Sequence, residues 1–146
     1  MASGMDSTKA IDVIEALIGK SPIVAFSTTN PAKLKLMTTA ATETADGTEI
    51  SGGSYPAGGI SMTISSTFGS GSYASGVATV TNSGAVVTQA NMPTVGGSGV
   101  ISAAIYDGTA VTPVRWWWGD LTTGVVTNLG DTLTFNTSAI TVQLNV

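Results

Sequence analysis

The chain of 146 residues has no cysteine and no histidine. That absence removes a thiol nucleophile, any disulfide, the Ser-His-Asp relay and the usual ligand sets of a zinc site. Charge is also scarce. Asp, Glu, Lys and Arg make up 10% of the residues, against about 25% in an ordinary soluble domain. Five cations stand against nine anions, with a net charge of −4 and a pI near 4.3, so the basic footprint of a nucleic-acid binder is missing. No long apolar run exists. Ile23-Val24-Ala25-Phe26 is far short of the about 20 residues that cross a bilayer as a helix. The N-terminus, Met1-Ala2-Ser3-Gly4-Met5-Asp6, has no basic region followed by an apolar stretch, so the expectation is synthesis in the cytoplasm without a secretory signal.

What is present is hydroxyl and glycine. Thr and Ser together outnumber all charged residues, and Gly occurs 18 times. The hydrophobic fraction of 42% fills one core, and one domain of this length buries about two-thirds of its unfolded surface. A neutral, hydroxyl-rich exterior suits surfaces covered by neighbours. It equally suits threonine at exposed strand positions. The cations are uneven: Lys9, Lys20, Lys33 and Lys35 fall in the first quarter, and only Arg115 follows. The chain is read as an N-terminal arm, residues 1–32, and a weakly acidic β body, residues 33–146.

Asp6-Ser7-Thr8 offers helix-capping side chains. Ile11, Ile14, Leu17 and Ile18 follow at one stripe of a 3.6-residue period, and Gly19 and Pro22 supply a stop. This predicts an amphipathic helix over 7–18 whose stripe must be buried, against its own domain or another subunit. Beyond Pro22 the chain reads as strands. Ile23-Val24-Ala25-Phe26 is a short apolar run, Leu34 and Leu36 alternate with Lys33 and Lys35, and Ile60-Ser61-Met62-Thr63-Ile64 alternates cleanly. Residues 65–76 read as a loop or a weak strand. Residues 77–80 and 85–87 read as strands across a hairpin turn at Asn82-Ser83-Gly84, and 92–97 as a loop. Strands follow at 100–106, 114–118, 132–135 and 140–146. About eight short strands with turns every 8–12 residues predict an all-β domain, a single β-sandwich of Ig-like or jelly-roll-like type, with a short N-terminal helix.

No catalytic constellation can be assembled by spacing. Asp46-Gly47, Asp107-Gly108 and Gly130-Asp131 fit turns, where Asp bonds its own backbone. A calcium site built from such aspartates lacks any regular ligand spacing. Gly96-Gly97-Ser98-Gly99 is followed by a strand, whereas a phosphate cradle needs a helix and usually a lysine. The expectation is therefore no enzyme, no metal and no cofactor. Trp116-Trp117-Trp118 is the most distinctive local feature. In a regular strand Trp116 and Trp118 share one face and Trp117 takes the other. One indole is then free for an interface or a sugar-stacking platform. Arg115 stacks on an aromatic, pairs with Asp107 or Asp120, or reaches a partner subunit. The residues singled out for partner binding are Lys9, Ile11, Ile14, Leu17, Lys20, Lys33, Lys35, Arg115 and Trp117.

Several segments carry a resemblance when read in order. They are Leu34-Lys35-Leu36-Met37-Thr38-Thr39, Gly47-Thr48-Glu49-Ile50-Ser51-Gly52-Gly53-Ser54-Tyr55, Asn82-Ser83-Gly84-Ala85-Val86 and Ile105-Tyr106-Asp107. Trp118-Gly119-Asp120-Leu121-Thr122-Thr123, Gly130-Asp131-Thr132-Leu133-Thr134-Phe135 and Ala139-Ile140-Thr141-Val142-Gln143-Leu144 complete the series. Together they resemble a family of small virion-associated proteins of tailed bacteriophages, which includes capsid decoration and minor tail or tail-fibre-like proteins. Pro56-Ala57 stands where such proteins carry Ala-Arg, and they rarely have the triple Trp. The resemblance implies a structural virion protein, with the capsid surface preferred as its place. Its implied partners are the major capsid protein and sister copies in a homo-oligomer, a trimer by analogy with capsid symmetry. No nucleic acid and no membrane are implied. The alternative is a tail or tail-fibre component that binds host-surface carbohydrate.

Overall fold

The computed structural model describes residues 3–20, 31–84, 86–108 and 113–145. The fold is all-β with a short N-terminal helix. Its elements in chain order are β1 (Ser3–Met5), α1 (Ser7–Leu17), β2 (Ala32–Met37), β3 (Ile60–Met62), α2 (Ile64–Thr67), β4 (Ser72–Ala74) and β5 (Val77–Thr81). They continue with β6 (Val87–Gln89), β7 (Val95–Tyr106), β8 (Arg115–Thr127), β9 (Leu133–Phe135) and β10 (Thr141–Asn145). The strands are antiparallel and form three sheets, of five strands in the order β1-β8-β7-β2-β3, three in the order β10-β5-β4, and two, β6-β9. Among the described residues the expected all-β character and N-terminal helix are present, the strands lie in three sheets, and two of them, β7 and β8, are much longer than any predicted.

One core joins all three. Leu34, Leu36, Ile60, Met62, Val100 and Ile105 of the main sheet pack with Val87 of β6 and with Ile50, Tyr55 and Met92 from the connections, and Leu133, Phe135 and Val142 lie partly buried against them. Alternation explains the burial. In β2, Ala32, Leu34 and Leu36 are buried while Lys33 and Lys35 between them are half-buried, and in β3 the two apolar residues are buried and Ser61 is exposed. A smaller cluster of Met37, Ala41, Ala104, Tyr106 and Trp118 forms separately.

Three departures from the sequence reading have local causes. Asn82-Ser83-Gly84 does not turn β5 onto β6, because β5 pairs with β4 and β10 while β6 pairs with β9. Asn82 is instead fully buried. Its amide donates to the Asn136 carbonyl at 2.8 Å and its side-chain oxygen accepts from Ile140 N–H at 2.7 Å, which ties the chain before β10 to the end of β5. The segment read as a loop or a weak strand holds α2 as well as the short strand β4, which Ser75 and Gly76 turn onto β5 at φ +50° and +82°. The loop read over 92–97 gives way to β7, which starts at Val95 and carries its glycines through two register shifts before residue 102. The run Ile23-Val24-Ala25-Phe26 lies outside the described residues. The arm is partly built into the sheet, since Ser3, Gly4 and Met5 pair with Gly119, Trp118 and Trp117.

Candidate interaction surface

The helix α1 spans the predicted segment, and Asp6 accepts its first backbone bond, from Ala10 N–H at 2.9 Å. The orientation of the helix is the informative feature. Ile11, Ile14 and Ile18 are 57%, 60% and 72% exposed, so the apolar stripe points away from the described body. The side chain of Leu17 lies outside the described residues. The side that is buried carries Lys9, whose ammonium pairs with Asp12 at 2.7 Å and sits 5.0 Å from the centroid of the Trp116 ring. A cation over an indole face is held by the ring quadrupole, and its methylene stem covers apolar surface.

Arg115 fixes this helix to the body. Its side chain is 4% exposed. It pairs with Asp6 at 3.0 Å and with Asp46 at 3.1 Å, and it donates to the carbonyls of Ala45 at 2.7 Å and Glu43 at 3.0 Å. The guanidinium fork therefore joins the N-cap of α1, the loop after residue 42 and the start of β8, a geometry that a lysine cannot reproduce. Asp6 and Asp46, and not Asp107 or Asp120, are its acidic partners. Asp107 closes the connection between β7 and β8 instead, accepting from Val114 N–H at 2.9 Å.

The other cations are also engaged within the chain. Lys20 pairs with Glu15. Lys33 donates to Ser61 at 2.7 Å. Lys35 pairs with Glu49 at 3.5 Å and lies 4.2 Å from the Tyr106 ring centroid. All five positive charges of the sequence thus have intramolecular partners. Among the described residues of the arm, Ile11, Ile14 and Ile18 form the exposed apolar surface.

The Trp triplet is divided by a register shift. Ile105 pairs with Trp117 and Tyr106 with Arg115, which leaves Trp116 as an extra residue on β8. A bulge bends the strand and re-aims its side chains. Trp116 and Trp117 accordingly approach to 5.5 Å between centroids, tilted by 31°, where strict alternation would separate them. Trp116 and Trp118 are buried and Trp117 is half-buried. Two of the three indoles are therefore interior, which leaves little of a sugar-stacking platform.

The Gly47-to-Tyr55 motif is a buttress on β2. Thr48 N–H donates to the Thr39 hydroxyl at 2.7 Å, Ile50 N–H to the Leu36 carbonyl at 3.0 Å, and Leu36 N–H to the Tyr55 hydroxyl at 3.0 Å. Tyr55 in turn donates to Glu49 at 3.2 Å. Burial raises the Tyr55 hydroxyl pKa well above its ordinary value of 10, against the opposing backbone bond, and the Glu49 charge raises it further. Burial likewise raises that of Tyr106, with the Asp46 carboxylate adding to it. Among the described residues no group of three acidic side chains is placed to hold a metal ion.

A second feature escaped the sequence reading. A cleft of about 840 Å³ is lined from β1, β2, β7, β8, β9 and β10, with Trp117, Leu121, Val125, Phe135, Ile140 and Val142 among its residues. The alternation over residues 140–146 was the available signal, but it does not tell which strand would face it. No family model matches the chain, and no curated protein matches it.

Proposed function

We propose that this chain is a structural protein of a tailed bacteriophage particle, a capsid decoration or cement protein that binds the major capsid protein and its own sister copies. On this reading its three sheets close as one sandwich of the Ig-like or jelly-roll-like kind, and it works by contact and not by catalysis. The ordered motifs from Leu34 to Leu144 support the virion assignment. The observation that carries the attachment surface is the outward stripe of Ile11, Ile14 and Ile18, on a helix clamped to the body through Asp6 and Arg115. An exposed apolar row on a rigid element marks an interaction site, and a helix laid into a groove is read through such i, i+3, i+7 anchors.

The test is the triple variant Ile11→Gln, Ile14→Gln, Ile18→Gln. Because the three side chains are exposed, each change should shift folding stability by no more than about 0.5 kcal/mol. Sedimentation with particles assembled without this chain should show binding weakened by at least tenfold. Attachment equal to that of the unaltered protein overturns the assignment of this surface. Copy number in whole particles tests the position: hundreds of copies fit the head lattice, and a handful fit a tail.

A further inference from the structure

Charge is distributed along this chain in blocks. From Ile50 to Tyr106, and again from Thr132 to Val146, no side chain is charged. The fold collects these blocks. Every residue of the sheet β10-β5-β4 comes from them, whereas the main sheet carries Lys33, Lys35, Arg115 and Asp120. One sheet is therefore neutral throughout, in a molecule with a net charge of −4. Two copies repel one another through their charged parts, and meet without like-charge contact through the neutral ones.

The neutral sheet also ends on an open edge. Among the described residues β10 has β5 as its single neighbour. The other strands at sheet ends, β1, β3, β4, β6 and β9, have three residues each, while β10 has five. Short length is one way an edge is kept from pairing; lysine, proline and bulges are others. β10 has none of these, and its register with β5 runs unbroken from Thr141 to Asn145. The direction of its backbone groups follows from one bond. Asn82 N–H donates to the Ile140 carbonyl at 3.0 Å. Bonded and non-bonded pairs alternate along an antiparallel ladder. Val142 and Leu144 therefore bond to β5, and the N–H and C=O groups of Thr141, Gln143 and Asn145 point to the free side. The Thr81 carbonyl agrees: it faces away from β10 and accepts from Gly69 N–H at 3.0 Å. Thr141, Gln143 and Leu144 are exposed along this edge, Leu144 by 41%.

We infer that β10 pairs with β10 of a second copy of this chain, antiparallel about a two-fold axis through Gln143. The strand itself decides both the occupant and the register. A two-fold contact sets one surface against its own image, so any charge near the axis would meet its like, and β10 has none. With the axis at Gln143, Thr141 lies opposite Asn145 of the second copy and Gln143 opposite itself. All three outward residues then form bonded pairs, whereas an axis at Val142 or Leu144 pairs only two of them. Val142 comes opposite Leu144 of the second copy, and that contact covers the exposed leucine. The two neutral sheets run on as one, and the charged parts of both copies stay away from the contact. This names the surface for the sister-copy contact of the proposed function and rests on that part of it, independently of what the stripe on α1 binds.

The experiment uses the full chain and the variants Gln143→Lys and Gln143→Glu. In sedimentation velocity the native chain should pass from monomer to dimer as its concentration rises. The amides of Thr141 and Gln143 should gain protection from hydrogen exchange on dimerisation, while those of Val142 and Leu144 are protected in both states. Each variant alone sets like charges on the axis and should dimerise about fivefold more weakly. An equimolar mixture of the two sets lysine against glutamate and should recover the dimer, which variants that merely disturb β10 would not do. Gln143 is exposed, so both variants should keep nearly the native Tm. A dimer indifferent to either charge overturns this surface and moves the sister-copy contact elsewhere. A chain that stays monomeric at every concentration overturns the inference, and leaves capsid attachment to be decided by the α1 variants. Protection of Thr141 and Gln143 in the monomer also overturns it, since the chain itself would then cover the edge.

Discussion

At the scale of single residues, Tyr55 shows how a sequence motif becomes a structural part. Its hydroxyl is the acceptor for a buried backbone donor of β2 and is itself bonded to Glu49. Tyr55→Phe leaves Leu36 N–H unsatisfied, which costs about 1–3 kcal/mol near neutral pH. The pH dependence carries the sign of the raised pKa. Between the ordinary value near 10 and the higher folded value, the unfolded chain loses the Tyr55 proton while the folded chain keeps it. Stability therefore falls as pH rises through that window, by up to about 1.4 kcal/mol per pH unit for this group. Phenylalanine has no such proton, and the falling contribution of Tyr106 is common to both proteins. The stability gap between the native chain and Tyr55→Phe should accordingly narrow between pH 10 and pH 11, followed by urea denaturation. A gap that stays constant over that interval would show that Tyr55 ionises alike in both states.

At the scale of elements, glycines that look alike in the sequence have opposite roles. A Cβ on Gly47 would fall 2.2 Å from the Thr39 carbonyl oxygen and 2.7 Å from the Met37 sulfur, so the backbone of the buttress must move to admit it. A Cβ on Gly96 meets nothing within 4 Å, and its φ is ordinary. Gly47→Ala should destabilise by about 1–3 kcal/mol, as overpacking does, while Gly96→Ala should be neutral or slightly stabilising. Thermal unfolding of the two variants separates the cases, and equal Tm values would remove the buttress from the account. The same contrast explains what the sequence disclosed. The helix, β2, β3 and the Gly130-Asp131 turn were legible because periodicity and turn chemistry are local; Asp131 accepts from Asn128 N–H at 2.7 Å. The pairings of β5 with β10 and of β6 with β9 were not, because a strand's partner is chosen by long-range packing. Nor was the extension of β7 through Gly96, Gly97 and Gly99, whose composition is that of a loop. The stripe on α1 was legible as a stripe, but its outward direction is set by Lys9, Trp116 and Arg115, whose contacts no spacing rule supplies.

At the scale of the whole molecule, the N-terminal arm is not a tether hung on a finished body. Residues 3–5 form an edge strand against Trp117 and Trp118, Asp6 supplies a carboxylate to buried Arg115, and Lys9 covers Trp116. Deleting residues 1–20 removes all three at once. Arg115 would keep Asp46 and two carbonyls, so the loss of Asp6 sits at the low end of the cost of breaking a buried pair, about 3 kcal/mol. For a chain of this length that corresponds to a fall in Tm of about 6–12 °C, and the uncovering of Trp116 and Trp118 adds to it. On the proposed virion reading, truncation would therefore weaken particle binding even if the arm touched no partner. The Ile11, Ile14 and Ile18 substitutions separate the two effects, because they change the outward face and leave the inward one intact. Thermal unfolding of the truncated chain is the measurement. A Tm equal to that of the full chain would show instead that the first 20 residues are separable from the β body.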